Sequence, residues 1–131
     1  PEGFGWPIDI EAMSHPAFGT STVVLRSGAI ATSSTYAKRW HNGHHIIDPT
    51  SGAPTDERRD GALALASVIA SNAVWAEVFA TACLVTGVPL AGAMIESRGL
   101  AARFETVAGR PITTRGFTAF TPAIESKEKN S

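Results

Sequence analysis

The chain lacks most features that would place it in a specialised class of protein. Cys83 is the single cysteine among 131 residues, so no intrachain disulfide can form and the disulfide-rich secreted domains are excluded. The formal net charge is −1, without the basic excess that broad binding to nucleic acid requires. We therefore expect no nucleic-acid partner.

Signals for targeting or membrane insertion are also lacking. The start, PEGFGWPIDI, has neither a basic region nor a long apolar run, so no signal peptide is visible. Residues 62–95 are long enough to span a bilayer, but polar residues and Pro89 interrupt them and much of their apolarity is Ala and Gly. The compartment therefore stays undetermined.

The residues that are present indicate one globular domain. Apolar residues make up 44% of the chain and charged residues 18%, which is typical of folded rather than disordered proteins. The length is sufficient for one sizeable core. We expect a single domain over residues 1–124 and a solvated polar tail over residues 125–131.

The hydrophobic pattern predicts an α+β fold, with a largely antiparallel mixed sheet and about two substantial helices. Residues 22–33 are predicted to form two short strands joined at RSG, which is a hairpin signal. Residues 32–40 contain polar residues that are predicted to cap a short helical turn. The other predicted strands are 5–10, a doubly buried strand over 61–70, 99–109 and a last strand in ITTRGFTAF, and the second helix is 89–98.

The stretch NAVWAEVFATACLV, residues 72–85, predicts a helix that is apolar on every side and yet carries a carboxylate. Ser71 or Asn72 suits its N-cap and Gly87 its C-cap. Glu77 is the only charged residue from position 61 to position 95. A buried, unpaired carboxylate costs several kcal/mol, so we expect Glu77 to meet a positive charge in the interior.

The pattern leaves the nature of that positive charge open. Thr81 lies one helical turn after Glu77 on the same face, and a carboxylate and a hydroxyl so placed can ligate a hard cation such as Mg²⁺. Alternatively, Glu77 caps a neighbouring loop or pairs with Arg58, Arg59 or Arg103. Spacing supports these interpretations about equally.

A second candidate is HHIIDP, where His45 and Asp48 are expected at the edge of a loop. An imidazole there can act as a base or hold a phosphate, whereas Asp48 alone is more typical of a turn cap. The spacing of His41, His44 and His45 is not that of a helical zinc pair, and no cysteine is nearby.

Other notable residues have structural interpretations. Cys83 is expected to pack inside its apolar helix rather than to react. The backbone of TSS, residues 32–34, offers a weak anion-binding signal, because no Gly-rich fingerprint accompanies it. The three tryptophans, Trp6, Trp40 and Trp75, are expected in the core or at its edge.

Three segments, in this order, resemble a known family: AIATSSTYAKRW, HHIIDPTSGAPT and AEVFATACLVTG. They are similar to ATSGDY, HIIDPRTGRP and ADALATALFVLG in the C-terminal half of the ApbE-type FAD:protein FMN transferases. The resemblance covers about residues 5–118. It implies an Mg²⁺-dependent enzyme that cleaves FAD and transfers FMN to a Thr hydroxyl of a target protein, releasing AMP. Some members instead hydrolyse FAD to FMN and AMP.

The resemblance also implies roles for individual residues. Glu77 falls at the position of the family's metal-binding Asp, whose side chain is one methylene shorter than that of Glu. Thr81 falls at the position of the family's metal-binding Thr. His45 matches the histidine close to the reacting phosphate and is the catalytic candidate. The residues implied to bind FAD are Thr32, Ser33, His45 and Asp48.

The chain departs from the family pattern in three respects. Ser34 replaces a Gly, Thr35 replaces an Asp, and the upstream segment similar to GGIAKGYAVD has no counterpart. We therefore expect a fragment, a chain that works with its N-terminal half or a second chain, or one without activity. The alternatives to the transferase are a non-catalytic flavin- or nucleotide-binding module, an FAD pyrophosphatase, and a structural domain with Glu77 paired to an arginine.

Overall fold

The computed structural model describes residues 4–12, 20–41 and 43–122. Ten strands, two α-helices and a 3-10 helix (Arg115–Phe120) occur in these ranges. In chain order they are β1 (Trp6–Glu11), β2 (Thr20–Leu25), β3 (Ala29–Ser34), β4 (Arg39–Trp40), β5 (Gly43–His44), β6 (Ile47–Asp48), β7 (Ala53–Pro54), β8 (Leu63–Ala70), α1 (Ala73–Thr86), α2 (Leu90–Ser97), β9 (Ala101–Thr106) and β10 (Pro111–Thr113).

The main sheet has four antiparallel strands in the order β10-β9-β8-β3. Helices α1 and α2 cover one face, where Ala66 and Val68 of β8 meet Leu84 of α1. The β1–β2 hairpin and the 3-10 helix cover the other face, where Leu65 and Ile69 are buried. The predicted α+β fold, with an antiparallel sheet and two substantial helices, is confirmed.

Strand β8 is buried along its whole length, as its largely apolar pattern predicts. Both of its faces are covered, so successive side chains alternate between the helix side and the hairpin side, each of which has an apolar cluster. This central strand therefore holds the helix layer and the hairpin layer together.

The caps of α1 are those that the sequence predicts. The side chain of Asn72 accepts a hydrogen bond from the backbone N–H of Trp75 at 3.0 Å. Gly87 ends the helix with φ of 71°, a conformation that favours glycine. Cys83 is fully buried, and burial raises the pKa of its thiol to about 12, in agreement with a packing role.

The predicted hairpin over residues 22–33 is wrong. Both strands exist, but β2 pairs with β1, and β3 pairs with β8. The predicted helical turn over 32–40 is also wrong, because β3 continues to Ser34 and pairs Thr32–Ser34 with residues 65–67. The pairing of β3 with β8 is non-local, and a local turn signal cannot reveal it.

Two further expectations need correction. The tryptophans are not in the core: Trp6, Trp40 and Trp75 are 78%, 56% and 52% exposed. The last strand is only three residues long, and a 3-10 helix replaces the rest of it. The polar tail lies outside the described residues. No helix within the described ranges is long and apolar enough to cross a bilayer.

Candidate functional site

The centre of the candidate site is a contact between β3 and α1. The hydroxyl of Ser33 lies 3.0 Å from the hydroxyl of Thr81 and forms a hydrogen bond with it. This bond joins residues 48 positions apart in the chain, one from the TSS segment and one from the helix. Tertiary structure therefore brings together two of the residues that the sequence predicts for the site.

Glu77 lies one turn before Thr81 on α1, but it is exposed rather than buried. The expectation of a buried carboxylate is wrong, because the helix packs only through Ala76, Ala80, Cys83 and Leu84. An exposed carboxylate is solvated, so it needs no partner for stability. Its position leaves it accessible to a ligand.

The three arginines proposed as partners of Glu77 have other contacts in the described residues. Arg58 pairs with Asp56, and this arginine holds the pKa of Asp56 below its usual value through a backbone and a side-chain hydrogen bond. Arg59 donates to two carbonyls at the end of α1. Arg103 pairs with Glu105 at 3.7 Å in the interior. The structure therefore does not support an arginine pair for Glu77.

Thr32 and Ser33 are adjacent in β3 and lie on opposite faces of the sheet, as strand geometry requires. The Thr32 hydroxyl is 2.7 Å from that of Ser67, its neighbour on β8, whereas Ser33 faces α1. The family resemblance implies that both bind FAD. The structure places them in a strand, with only Ser33 beside Thr81.

The adjacent histidines have opposite hydrogen-bonding roles. Nδ1 of His44 accepts from the N–H of Ile46, and its Nε2 lies 3.3 Å from the carbonyl of Thr55. Because a carbonyl only accepts, Nε2 must carry the proton. Both nitrogens of this buried ring are thus engaged, which excludes His44 as a base or metal ligand.

His45 has the reverse tautomer. Its Nδ1 lies 3.3 Å from the carbonyl of Lys38. Because a carbonyl only accepts, Nδ1 carries a proton, and in the neutral ring Nε2 then has the lone pair. The ring is half-buried. This is the arrangement that a general base or a phosphate-binding imidazole requires.

Asp48 behaves as the turn cap that its sequence context favours. Its Oδ1 accepts from the N–H of Thr50 at 2.9 Å, and its carbonyl accepts from Gly52 at 2.8 Å. Asp48 and His44 also line an open cleft of about 710 Å³, next to the segment 53–59. Glu77 and Thr81 do not line this cleft, so the cleft and the hydroxyl pair are separate features.

The donors on α1 and β3 are suitable for a hard cation. Two oxygens on adjacent corners of a Mg²⁺ octahedron, with bonds of about 2.1 Å, lie about 3 Å apart, and the hydroxyls of Ser33 and Thr81 are 3.0 Å apart. The described part of the chain contains no cluster of three His, Cys, Asp or Glu that could hold a metal. A cation here would therefore rely on Glu77, hydroxyls, water and substrate oxygens.

Sequence reasoning missed three structural residues near or behind the site. His44 was weighed only as a zinc ligand, Arg59 only as a partner of Glu77, and Arg103 in the same way. The signal available for Arg59 was its position two residues before Gly61. A glycine there allows the chain to approach the carbonyl of Val88, just beyond the end of α1. The buried pairing of Arg103 with Glu105 has a weaker signal, two charges at alternate positions of an apolar strand.

The fold and the site define a class of protein. It is an antiparallel α+β domain in which the HIIDP segment and helix α1, which carries Glu77 and Thr81, present imidazole and oxygen donors. The ApbE family model matches residues 1–104, and the chain belongs to the ApbE family. A search of curated protein sequences gave no significant match.

Solved structures agree with this assignment. The flavinyl transferase ApbE of Pseudomonas stutzeri is 30% identical with a TM-score of 0.73, over 94% of this chain and 38% of that one. The ApbE protein of Thermotoga maritima is 25% identical with a TM-score of 0.72, over 90% and 39%. The flavin transferase ApbE of Vibrio cholerae is 26% identical with a TM-score of 0.68, over 91% and 38%. The chain thus spans about two fifths of the length of these structures.

Proposed function

We propose that the chain forms the C-terminal part of an FAD:protein FMN transferase. In this reaction the Thr hydroxyl of a target protein attacks the FMN phosphorus of FAD. The pyrophosphate bond breaks, FMN becomes joined to the target through a phosphoester, and AMP leaves. The observation that carries the proposal is the Ser33–Thr81 hydroxyl pair, which places two of the family's motifs side by side next to Glu77.

In this proposal, Glu77 and Thr81 hold Mg²⁺, and Ser33 lies beside them. When bound, Mg²⁺ supplies positive charge that offsets the charge developing on the phosphate oxygens. The carboxylate of Glu77 is one methylene longer than that of Asp, and the exposed end of α1 leaves room for that extra length. The proposed ligand set has one carboxylate, in keeping with the preference of Mg²⁺ for one or two carboxylates plus water and phosphate.

His45 is the proposed general base. Its Nε2 lone pair is available because Nδ1 donates to Lys38, so it can accept the proton of the incoming Thr hydroxyl. Asp48 shapes the turn after His45 through its bond to Thr50. We propose that Asp48, in the cleft beside segment 53–59, and Ser33, at the hydroxyl pair with Thr81, contribute to different parts of the FAD site. Thr32 supports the strand from its opposite face through its bond to Ser67.

The remainder of the FAD site is proposed to come from polypeptide outside these 131 residues, either an N-terminal half or a second chain. The outward face of α1 carries Val74, Trp75 and Val78, which are 67%, 52% and 48% exposed. An apolar surface of this kind beside a site marks an interaction face. The solved relatives, of which this chain spans about two fifths, contain enough additional polypeptide to cover it.

The transferase is tested by Mg²⁺-dependent AMP release from FAD in protein that includes the flavin-accepting partner. Glu77→Gln keeps the side-chain shape and removes the charge, so AMP release should fall more than tenfold, or at least ~1.4 kcal/mol in barrier. Glu96→Gln is the matched control, because Glu96 is an exposed helical glutamate on α2, and it should leave the rate unchanged. Glu77→Asp should work as well as the parent, since water can fill a one-methylene gap.

His45→Ala separates the two roles at the site. It should slow AMP release and leave the dependence on Mg²⁺ in place, because the imidazole acts on a proton or phosphate rather than on the metal. AMP release without FMN on the acceptor would identify an FAD pyrophosphatase instead. A parent rate insensitive to chelator, with Glu77→Gln fully active, would leave only a flavin-binding module.

Completion of the FAD site by other polypeptide has its own test. We expect the 131-residue chain alone to bind FAD weakly in the presence of Mg²⁺, because the wall around the isoalloxazine is incomplete. Fluorescence titration measures this affinity. Low-micromolar binding by the isolated chain would contradict the proposal of an incomplete pocket and would leave the transferase proposal intact.

A further inference from the structure

Arg59 lies at the end of α1, where a helix leaves carbonyl oxygens without partners. Its Nη2 donates to the carbonyls of Leu84 at 3.1 Å and Val85 at 2.6 Å. Two of the final four carbonyls of the helix thus depend on this one guanidinium. The positive charge of the Arg59 guanidinium also interacts favourably with the negative, C-terminal end of the helix dipole.

The backbone around Arg59 is fitted to the same helix end. The N–H of Val88 donates to the carbonyl of Gly61 at 2.9 Å. Gly61 has φ of 73°, and a Cβ at this position would collide with the carbonyl of Val88. A Cβ at Gly87 would approach the Arg59 guanidinium to 3.2 Å. The close approach is therefore built into two glycines as well as the arginine.

On its other side, Arg59 belongs to the segment that carries the histidines. Its N–H donates to the carbonyl of Asp56 at 3.3 Å, and the N–H of Thr55 donates to the carbonyl of Ile46 at 3.0 Å. His44 then binds Thr55 through Nε2. Residues 44–59 thus form one hydrogen-bonded unit, with Arg59 at the end that touches α1.

We propose that Arg59 is a positioning residue that fixes segment 44–59 against the C-terminal end of α1. The segment carries His45 and Asp48, and the same helix carries Glu77 and Thr81 in its preceding turns. Without it, the segment and the helix lose this side-chain attachment, and their relative position is less constrained, although the Val88–Gly61 bond and the packing of Ile46 and Leu84 in one apolar cluster remain. The functional meaning of this placement rests on the proposed roles of His45 and Glu77, but the coupling itself does not.

Site-resolved hydrogen exchange of the full chain under native conditions tests the coupling without any ligand. In Arg59→Ala, the amides of Val88 and Thr55 should both exchange at least tenfold faster than in the parent. Arg58→Ala is the matched control: Arg58 is the adjacent arginine, with a mostly exposed side chain that pairs only with Asp56 among the described residues. It should change neither amide by more than twofold.

Two more variants distinguish positioning from general destabilisation. Val68→Ala removes buried volume in β8 but none of the hydrogen bonds of Arg59, and it should not accelerate these two amides selectively. Arg59→Lys keeps a cation with fewer donors and should restore part of the protection at both amides, including where Arg59→Ala does not fold. Faster exchange at Val88 alone, or the same pattern in Val68→Ala, would overturn the proposal. If the coupling holds and no AMP is released from FAD by the complete protein, the transferase fails while Arg59 keeps its positioning role.

Discussion

On the helix side of the sheet, Glu77 and Thr81 lie at the accessible margin of an apolar cluster, whereas on the hairpin side a row of polar side chains of the sheet itself is buried. Ser67 and Arg103 face each other across β8 and β9 on the hairpin side, and both are almost fully buried. Glu105 follows on the same face at 0% exposure. On the helix side, Glu77 and Thr81 are exposed.

The contrast shows that burial of charge and availability for chemistry are different properties here. Arg103 and Glu105 approach each other at 3.7 Å inside the protein, so loss of either charge would leave the other buried without this partner and would act on stability. The exposed carboxylate of Glu77 contributes nothing to packing, so it can be retained for a ligand at little cost. The adjacent residues Thr32 and Ser33 belong to different sides of this division.

At neutral pH the largest effect is expected on the hairpin side, from Arg103→Ala. Removing one member of a buried ion pair typically costs ~3–5 kcal/mol, and we expect about 3 kcal/mol from urea unfolding with an unchanged m-value. Arg115→Ala is the control, since Arg115 approaches Glu96 at 3.9 Å with a largely exposed side chain, and it should have no measurable effect. Equal stability of the two variants would erase the distinction between buried and exposed charge.

A smaller effect is expected from Thr32→Val, which deprives the buried hydroxyl of Ser67 of the Thr32 hydroxyl at 2.7 Å. The loss should be about 1–2 kcal/mol. Adding Ser67→Ala should recover most of it, because both polar groups are then gone. A large loss of FAD affinity without a loss of stability would instead assign Thr32 to the nucleotide site, as the family resemblance implies.

On the helix side, the buried thiol of Cys83 predicts that the free energy of unfolding depends on pH in the alkaline range. Burial raises the pKa of its thiol from 9.0 to about 12, so between these values the unfolded chain releases the proton and the folded chain keeps it. Stability should therefore fall as pH rises from about 9 to 12, by up to about 1.4 kcal/mol per pH unit. The difference in urea midpoints between the parent and Cys83→Ala isolates this slope, and parallel pH profiles would contradict it.

The smallest effect on stability is expected from Ser33→Ala at the exposed margin. It removes one partly exposed hydroxyl bond to Thr81 and should change the unfolding free energy by less than about 0.5 kcal/mol. If Ser33 lies beside the cation as proposed, the Mg²⁺ concentration required for half-maximal AMP release should nevertheless rise. A variant with lower stability and an unchanged Mg²⁺ requirement would place Ser33 with Thr32 among the structural residues.

The sequence was informative where the cause is local. The caps Asn72 and Gly87, the buried strand β8 and the turn role of Asp48 depend on neighbours within a few residues, and each was predicted correctly. The pairing of β3 was not, because a Gly-containing turn signal at residues 26–28 cannot indicate that β8, some 40 residues later, offers the larger apolar surface. The exposure of Glu77 was missed for a related reason: an apolar helix does not reveal which of its faces the sheet covers.

By itself, the sequence determined that Glu77 and Thr81 share a helix face, since a spacing of four residues fixes this in any α-helix. It also determined that the HIIDP segment precedes the helix that carries Glu77, which is the order of these motifs in the family. Only the tertiary structure decided that Ser33 rather than Thr32 meets Thr81, and that Arg59 meets the end of α1 rather than Glu77. It also decided that, among the described residues, both ring nitrogens of His44 have partners whereas Nε2 of His45 has none. Each of these choices depends on which groups approach across the fold, and side-chain hydrogen bonds form at distances near 3 Å that sequence separation does not encode.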